Sequence, residues 1–183
     1  VHMQPLPRIE IPCRLVDRAL AHGQATELIH RLHGLIPFVT QDQRVDVLAE
    51  IAKSYGETNF ALCFYFASEA HRQANIVGDT FRIVRTGRIK AQAYRRIDKI
   101  DSAIYKFNDV LIIAKRLNYK SELKNILNGL GVSYVLKAKY DDALSCHFES
   151  LSLREYDRDP DEIGEALINI GLVYYKLQII TKR

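Results

Sequence analysis

The amino-acid sequence repeats itself with a period of about 40 residues. When the chain is aligned with itself at that offset, apolar and small residues fall into recurring columns. The columns include three tyrosines (Tyr94, Tyr134 and Tyr174), three small residues (Ala91, Gly131 and Gly171), two leucines (Leu127 and Leu167), and the set Cys63, Ala103 and Ala143. A period of this length predicts an array of small structural units, each of which buries its apolar face only by stacking on a neighbour.

Within each period the apolar residues are spaced as in two amphipathic helices. Leu127, Leu130, Gly131 and Tyr134 lie at positions i, i+3, i+4 and i+7 of the first helix. A second stripe occupies residues 140–151, and the few residues between the stripes fit only a tight helical connection. No segment alternates apolar and polar residues as a strand would. The lack of a side chain at Gly131 predicts a close contact between the two helices, which Gly131→Leu would overpack.

The segments ILNGLGVSYVLKAKYDDALSCHFESL and EALINIGLVYYKL resemble the tetratricopeptide repeat (TPR). That repeat has Leu, Gly or Ala, and Tyr on its first helix and Ala on its second. Its usual length is about 34 residues. The unit of about 40 residues in this chain resembles a longer subtype of the repeat, found in kinesin light chain, Pins-like adaptors and bacterial signalling arrays. The resemblance covers about residues 42–180. It implies an all-α fold, a right-handed α-α superhelix of antiparallel helix pairs.

The pattern divides the chain into an N-terminal helical segment, residues 1–41, and a TPR array of about three and a half repeats, residues 42–183. Residues 1–3 are interpreted as a remnant of an expression tag. We expect helices at 13–22, at 25–36 (ended by Pro37), in the pairs 42–55 with 59–75, 79–96 with 99–117 and 120–137 with 140–156, and at 161–177. The last helix has no partner helix and keeps an apolar outer face. We therefore expect an array that is cut within a repeat, and a chain that self-associates through this helix.

Composition and motifs give no support for catalysis. Charged residues make up 26% of the chain and hydrophobic residues 48%, as in ordinary globular proteins, and no apolar run reaches the ~20 residues of a membrane span. The sequence has no phosphate-binding loop, nucleophile elbow or zinc-protease motif. Five candidate residues are interpreted as surface histidines or core residues: His30, His33, Cys63, Cys146 and His147. We expect no enzymatic activity, and neither a metal nor another cofactor.

Arginine is concentrated on one predicted first helix. Residues 80–97 contain six basic residues and no acidic one, and several of the basic side chains fall within about 100° of one another around the helix. In the TPR family the first helices line a concave groove. The resemblance therefore implies that a peptide or partner segment is bound by Lys53, Arg85, Arg88, Gln92, Arg95, Asn125, Asn128 and Asn169. Arginine holds carboxylate or phosphate groups bidentately, so the partner is expected to include acidic or phosphorylated residues; a solvated helix face is the alternative interpretation.

These features favour a protein–protein interaction scaffold, as the sensory or docking part of a larger signalling protein. An alternative is a regulator segment gated by a peptide pheromone. A nucleic-acid-binding module is less favoured, because no exposed aromatics alternate with the arginines and the net charge is only +4. A cytoplasmic location is expected, since no signal peptide is visible and the three cysteines form no disulfide pattern.

Overall fold

The structure, a computed structural model, describes residues 34–35 and 39–181. Residues 39–181 contain seven α-helices and no strand. The helices are α1 (Gln41–Ser54), α2 (Phe60–Val77), α3 (Thr80–Arg96), α4 (Ile100–Arg116), α5 (Lys120–Leu136), α6 (Tyr140–Asp157) and α7 (Pro160–Thr181). Gly34 and Leu35 are also helical, whereas the helix predicted at 13–22 lies outside the described residues.

The predicted helical register is confirmed. Helices α3, α5 and α7 begin one full repeat apart, at Thr80, Lys120 and Pro160. The tyrosines of the repeat column, Tyr94, Tyr134 and Tyr174, occupy the same place in these three helices.

The predicted helix bounds are also close to those observed. For α1 to α6 they agree with the structure to within two residues at each end. Helix α7 runs to Thr181, four residues further than predicted, because no glycine or proline follows residue 177 to end it.

The described helices belong to two compact units. The first unit is Val1–Ile97 and contains α1, α2 and α3, and the second unit is Asp98–Arg183 and contains α4 to α7. Within each unit, consecutive helices pack on one another, and the short connections make them antiparallel neighbours. The predicted pairing of 79–96 with 99–117 spans the two units and stays a prediction.

Five of the six connections between the described helices, all but the one from α1 to α2, share one backbone feature. A residue with a positive φ recurs at intervals of half a repeat, at Gly78, Asp98, Asn118, Ala138 and Arg158, with φ values between 53° and 77°. This left-handed conformation ends a helix and reverses the chain direction. Glycine, aspartate and asparagine tolerate it better than other residues, so three of the five positions carry suitable residues.

Local side chains define several helix starts in the first unit. Thr40 and Gln43 form a reciprocal capping box at the start of α1. Asn59 caps α2 through Leu62 N, and Asp79 caps α3 through Arg82 N. Helices α4, α5 and α6 have no side-chain cap, so tertiary packing rather than local capping stabilises their first turns.

The core of the first unit lies between α1, α2 and α3. Leu48 and Ile51 on α1 pack in one cluster with Phe66 on α2 and Ile89 on α3. Cys63 belongs to the same cluster and is 4% exposed. The column of small residues therefore marks a helix contact here, as the repeat predicts.

Two glycines admit bulky rings into the core of the second unit. A Cβ atom built on Gly131 would lie 2.7 Å from the imidazole of His147 on α6. A Cβ atom on Gly129 would lie 2.5 Å from the ring of Phe107 on α4. The close contact predicted at Gly131 is present, and the second contact at Gly129 was missed because the repeat has no glycine column there.

Helix α7 is packed on one side only. Ala166 and Ile170 lie against Leu151 of α6, and Val173 is fully buried. Most of its other large apolar residues are exposed, among them Leu167, Ile168, Leu172, Tyr174 and Tyr175. Among the described helices, only Pro160–Ile180 is long and apolar enough to cross a membrane, by length and composition alone. The sequence analysis did not identify it as a candidate span, because that analysis considered only unbroken apolar runs. Because one face of α7 packs on α6 in the register of the repeat, α7 is also a helix of the repeat array.

Candidate functional site

The predicted site residues of the first unit lie on α3 and at the end of α1. Together they are called the arginine surface: Lys53, Arg85, Arg88, Gln92 and Arg95. The spacing on α3 places its four members on one side of the helix over nearly three turns. They do not form a free cluster of positive charge, because acidic side chains of α1 neutralise part of it.

Arg85 is held by two carboxylates of α1. Its guanidinium donates to Asp46 Oδ1 at 3.0 Å and to Glu50 Oε1 at 2.6 Å. Lys53 donates to the same Glu50 oxygen at 2.8 Å, and the carboxylate of Glu50 is 8% exposed. Arg85 therefore joins α3 to α1, Lys53 pairs with Glu50 within α1, and both cations already have acidic partners in the free chain. The sequence analysis did not identify these acidic partners.

Arg82, one turn earlier on α3, extends the same network. It donates to Asp46 Oδ2 at 2.9 Å and to Asp79 Oδ2 at 2.6 Å. The hydrogen bond that Arg82 donates to Asp46 raises the pKa of Arg82 against the effect of burial. Hydrogen bonds from the backbone and side chain of Arg82 lower the pKa of the Asp79 carboxyl. Sequence analysis missed Arg82 as a member of the network.

Arg88 and Arg95 are positioned differently from Arg85. Arg88 is 9% exposed, and its Nη1 donates to Gln92 Oε1 at 3.4 Å. The Nε atom of Arg95 is buried and has no hydrogen-bond partner among the described residues. Burial and the neighbouring charge of Arg96 lower the pKa of Arg95. A buried guanidinium N–H without an acceptor is an energetic cost that an anion would remove.

The predicted residues of the second unit are asparagines, called the asparagine surface: Asn125 and Asn128 on α5 and Asn169 on α7. The structure brings Asn128 and Asn169 together, since Asn169 Nδ2 donates to Asn128 Oδ1 at 2.9 Å. Asn128 Nδ2 in turn donates to Glu165 Oε1 at 3.3 Å. Asn125 instead donates to the carbonyl of Ser121 in its own helix.

Two cations, the buried Arg154 and the partly buried Lys124, pair with acidic residues near these asparagines. Arg154 of α6 is 2% exposed and donates to Glu165 Oε2 at 3.0 Å. Lys124 donates to Asp157 and to Glu162, and these hydrogen bonds raise its pKa although burial acts in the opposite direction. Sequence analysis did not single out Arg154 or Lys124. The asparagine surface is therefore neutral to acidic, in contrast to the arginine surface.

Comparison with solved structures shows which type of fold the chain has. No protein-family model and no curated protein sequence matches the chain. Solved structures do match, each over about nine tenths of this chain. A Rap protein complexed with competence and sporulation factor has a TM-score of 0.79, 14% identity, and coverage of 91% of this chain and 48% of its own. A signal-transduction ATPase with a tetratricopeptide repeat sensor from Pyrococcus horikoshii has a TM-score of 0.75 and 15% identity, with coverage of 92% and 26%.

The fold is a TPR-type helical repeat.

A third structure with this fold is PlcR of Bacillus thuringiensis in complex with the peptide PapR7 and DNA. Its TM-score is 0.72 at 11% identity, with coverage of 90% of this chain and 61% of its own. The chain thus spans between a quarter and about three fifths of these TPR-type structures. Identities this low establish the shared fold, and the all-α repeat architecture predicted from sequence is confirmed.

Three of the five candidate residues for chemistry, Cys63, Cys146 and His147, are buried in this TPR-type fold. Cys63 and Cys146 are buried free thiols; burial raises the pKa of Cys63, and burial with the nearby Glu149 raises that of Cys146 to about 11. The imidazole of His147 lies under Gly131, and burial lowers its pKa. His30 and His33 lie outside the described residues. Among residues 34–35 and 39–181, no group of three potential ligands could hold a metal ion.

Proposed function

We propose that this chain is a non-enzymatic protein-interaction module that binds an acidic or phosphorylated segment of a protein or peptide at its arginine surface. The observation that carries the proposal is the buried Nε of Arg95, which has no acceptor among the described residues. A carboxylate or phosphate group beside the guanidinium would offset the burial and the charge of Arg96, which lower the pKa of Arg95. Arg88 lies two turns earlier on the same helix and contributes a second guanidinium.

The members of the arginine surface have different roles in this proposal. Arg95 and Arg88 bind the anionic groups, and Gln92 between them hydrogen-bonds the ligand. Arg85 holds α3 to α1 through Asp46 and Glu50, and Lys53 of α1 shares the Glu50 carboxylate. An incoming anion therefore competes with two internal carboxylates for Arg85, so binding depends more on Arg95 than on Arg85.

The asparagine surface provides a different kind of contact. Its amides are polar and uncharged, and Asn128 and Asn169 already form a hydrogen-bonded pair. Such amides suit the backbone groups of an extended peptide. We assign Asn125, Asn128 and Asn169 to backbone recognition rather than to charge recognition.

The experiment compares variants that change the net charge equally. Peptides that bind the chain are selected from a displayed random library and measured by fluorescence anisotropy. Arg95→Gln is expected to lower the affinity for an acidic peptide by about tenfold or more, since a charge-assisted hydrogen bond contributes ~1.5–3 kcal/mol. The matched control is Arg72→Gln, which removes an arginine of the same unit whose guanidinium pairs with Glu69 of its own helix α2. Equal effects of the two variants would contradict the proposal.

A peptide-pheromone-gated regulator is the second candidate. It is supported by two of the similar structures, a Rap protein complexed with competence and sporulation factor and PlcR in complex with the peptide PapR7 and DNA. Uncharged hydrophobic peptides as the strongest binders, unaffected by Arg95→Gln, would favour this candidate. Nucleic-acid binding is less supported, because Asp46, Glu50 and Asp79 neutralise arginines of α3. A steep loss of affinity with salt for single-stranded nucleic acid would favour it.

We place the module in the cytoplasm, and the buried free thiols of Cys63 and Cys146 support a reducing compartment. Self-association through α7 remains a prediction. Its exposed apolar residues support it, and light scattering at rising concentration tests it.

A further inference from the structure

Arg96 follows Arg95 at the end of α3 and is not among the site residues predicted from the sequence. Its guanidinium extends over the connection from α1 to α2, where its Nη2 lies 3.5 Å from Oε1 of Glu57. A Cβ atom on Gly56 would lie 3.2 Å from Cζ and Nη1 of Arg96, so the guanidinium lies against the backbone of that connection. Burial raises the pKa of Cys63, and the nearby charge of Arg96 opposes that rise. Arg96 therefore adds a second guanidinium beside the end of the arginine surface.

The charge of Arg96 is only weakly neutralised. Among the residues that the structure describes, its ion-pair partner is Glu57, whose side chain is 79% exposed. Exposed ion pairs of this kind contribute little, because water and salt screen them. The pair of Arg85 with Glu50 is different, since the two groups are 2.6 Å apart and the Glu50 side chain is 8% exposed. An incoming anion therefore competes less with internal carboxylates at Arg96 than at Arg85.

Arg95 and Arg96 place two positive charges side by side. Burial lowers the pKa of Arg95, and the neighbouring charge of Arg96 lowers it further. Basic side chains in the last turn of a helix interact favourably with its C-terminal carbonyl groups, and this effect offsets part of the repulsion. It leaves the buried Nε of Arg95 without an acceptor among the described residues. The pair therefore combines an unsatisfied donor with an excess of positive charge.

A phosphate monoester matches this pair better than a carboxylate does. At pH 7 the phosphate group of a phosphorylated side chain carries a charge of about −1.5 to −2 and three acceptor oxygens. One such group can accept from the Nε of Arg95 and from the planar fork of Arg96 at the same time. A carboxylate has a single negative charge, so it balances only one of the two guanidiniums.

We propose that Arg95 and Arg96 together bind the phosphate group of a phosphorylated side chain in the partner segment. This inference rests on the proposed function, because it uses the same end of the arginine surface, and it adds a preference for phosphorylated over unphosphorylated acidic segments. On binding, Arg96 exchanges the exposed carboxylate of Glu57 for a phosphate oxygen. Gly56 permits this position of the guanidinium, since a side chain there would occupy the same space.

The experiment compares three forms of one peptide. A library with a fixed central phosphoserine and random flanking residues is screened against the full 183-residue chain. The best binder is made with fluorescein and with phosphoserine, glutamate or serine at the centre, and each affinity is measured by fluorescence anisotropy beside the acidic peptides selected by display. The phosphoserine form is expected to bind at least about tenfold more tightly than the glutamate form, because phosphate forms additional charge-assisted hydrogen bonds.

The pH dependence of binding separates a phosphate dianion from a general attraction of negative charge. The second pKa of phosphoserine is about 6, so the affinity of that form is expected to fall by up to about tenfold between about pH 7.5 and about pH 5. A glutamate side chain, with a pKa of about 4.3, stays charged over this range, so its form is expected to change by less than about twofold. Titration of the chain itself affects both forms and cancels in their ratio.

Variants of the chain assign the preference to Arg96. Arg96→Gln is expected to reduce the ratio of phosphoserine to glutamate affinity to about threefold or less. Arg96→Lys keeps the charge but loses the planar fork, so it is expected to give an intermediate ratio. The matched control is Arg72→Gln, which removes the same charge from the same unit, where the guanidinium pairs with Glu69, and is expected to leave the ratio unchanged. Circular dichroism during heating verifies that each variant folds.

Several results would overturn the proposal. If the phosphoserine and glutamate forms bind equally and both depend on Arg95, the proposed function stands and this inference is wrong. If neither phosphoserine peptides nor acidic peptides bind, both are wrong. If Arg96→Gln lowers Tm but leaves the ratio unchanged, Arg96 only stabilises the end of α3. Inorganic phosphate that competes as strongly as the unlabelled phosphopeptide would assign the pair to free phosphate, and binding to vesicles with phosphatidylinositol 4-phosphate but to no phosphoserine peptide would assign it to a lipid headgroup.

Discussion

Gly131 and Gly171 occupy equivalent positions in two first helices, and the structure predicts opposite effects of the same substitution. In Gly131→Leu the new Cβ would lie 2.7 Å from Cε1 and Nε2 of His147 and 2.9 Å from Nδ1. The imidazole is 1% exposed, so it has no free space into which to move. In Gly171→Leu the Cβ meets nothing within 4 Å.

The size of the effect follows from two contributions. Replacing a helical glycine with leucine gains roughly 0.8 kcal/mol in helix propensity at either position. Overpacking against a buried ring costs about 1–3 kcal/mol, and the several contacts at Gly131 place this site at the upper end. We expect Gly131→Leu to lower the free energy of unfolding by about 2 kcal/mol, whereas Gly171→Leu raises it by about 0.5–1 kcal/mol.

The assay is thermal unfolding followed by circular dichroism, at a concentration low enough to keep the chain monomeric. For a chain of this length, 1 kcal/mol shifts Tm by about 2–4 °C. The melting temperature of Gly131→Leu is therefore expected to fall by roughly 4–8 °C, and that of Gly171→Leu to rise by roughly 1–4 °C. If both variants shifted Tm in the same direction by the same amount, the contact of Gly131 with His147 would not stabilise the fold.

Two further predictions concern the helix connections and the ion pairs. Ala138 has a φ of 57°, which is unfavourable for alanine, so Ala138→Gly is expected to raise stability by about 1 kcal/mol in urea unfolding; a lower midpoint would contradict the conformational argument. The lowered pKa of Asp79 means that its charged form stabilises the folded chain above the pKa of an unfolded aspartate, about 3.9, and that this stability is lost as pH falls through the folded pKa. Asp79→Asn keeps a capping residue, so it is expected to be less stable than wild type at pH 7 and equally stable near pH 2; a difference in Tm that is independent of pH would refute the role of the charge.

The sequence predicted the helices and their register because both depend on apolar periodicity. A column such as Tyr94, Tyr134 and Tyr174 needs only the order of residues to be recognised. The conformations of Ala138 and Arg158 could not be predicted from residue type, because neither residue favours a positive φ. The positive φ at these two positions could have been inferred from their regular spacing, since they follow Asp98 and Asn118 at intervals of half a repeat.

The candidate site was less predictable, because its charges are set by neighbours about one repeat away. Arg85 pairs with Asp46 and Glu50, which lie on the preceding first helix, α1. A pattern on α3 alone cannot show this neutralisation. The acidic residues at 42, 46 and 50 are spaced by one helical turn, and comparing the charged faces of successive first helices would have found the pairs.

The left-handed residue that recurs at every connection from Gly78 to Arg158 has a consequence for how such a chain changes in evolution. Each connection contains its own reversal, so a segment cut at two corresponding connections carries complete helix ends with it. Unequal recombination between two such points in the gene would insert or delete whole helix pairs. The flanking repeats would then meet a neighbour of the same shape as the one they lost. A chain of this kind is therefore expected to vary in repeat number among related genes more readily than in the length of any one helix.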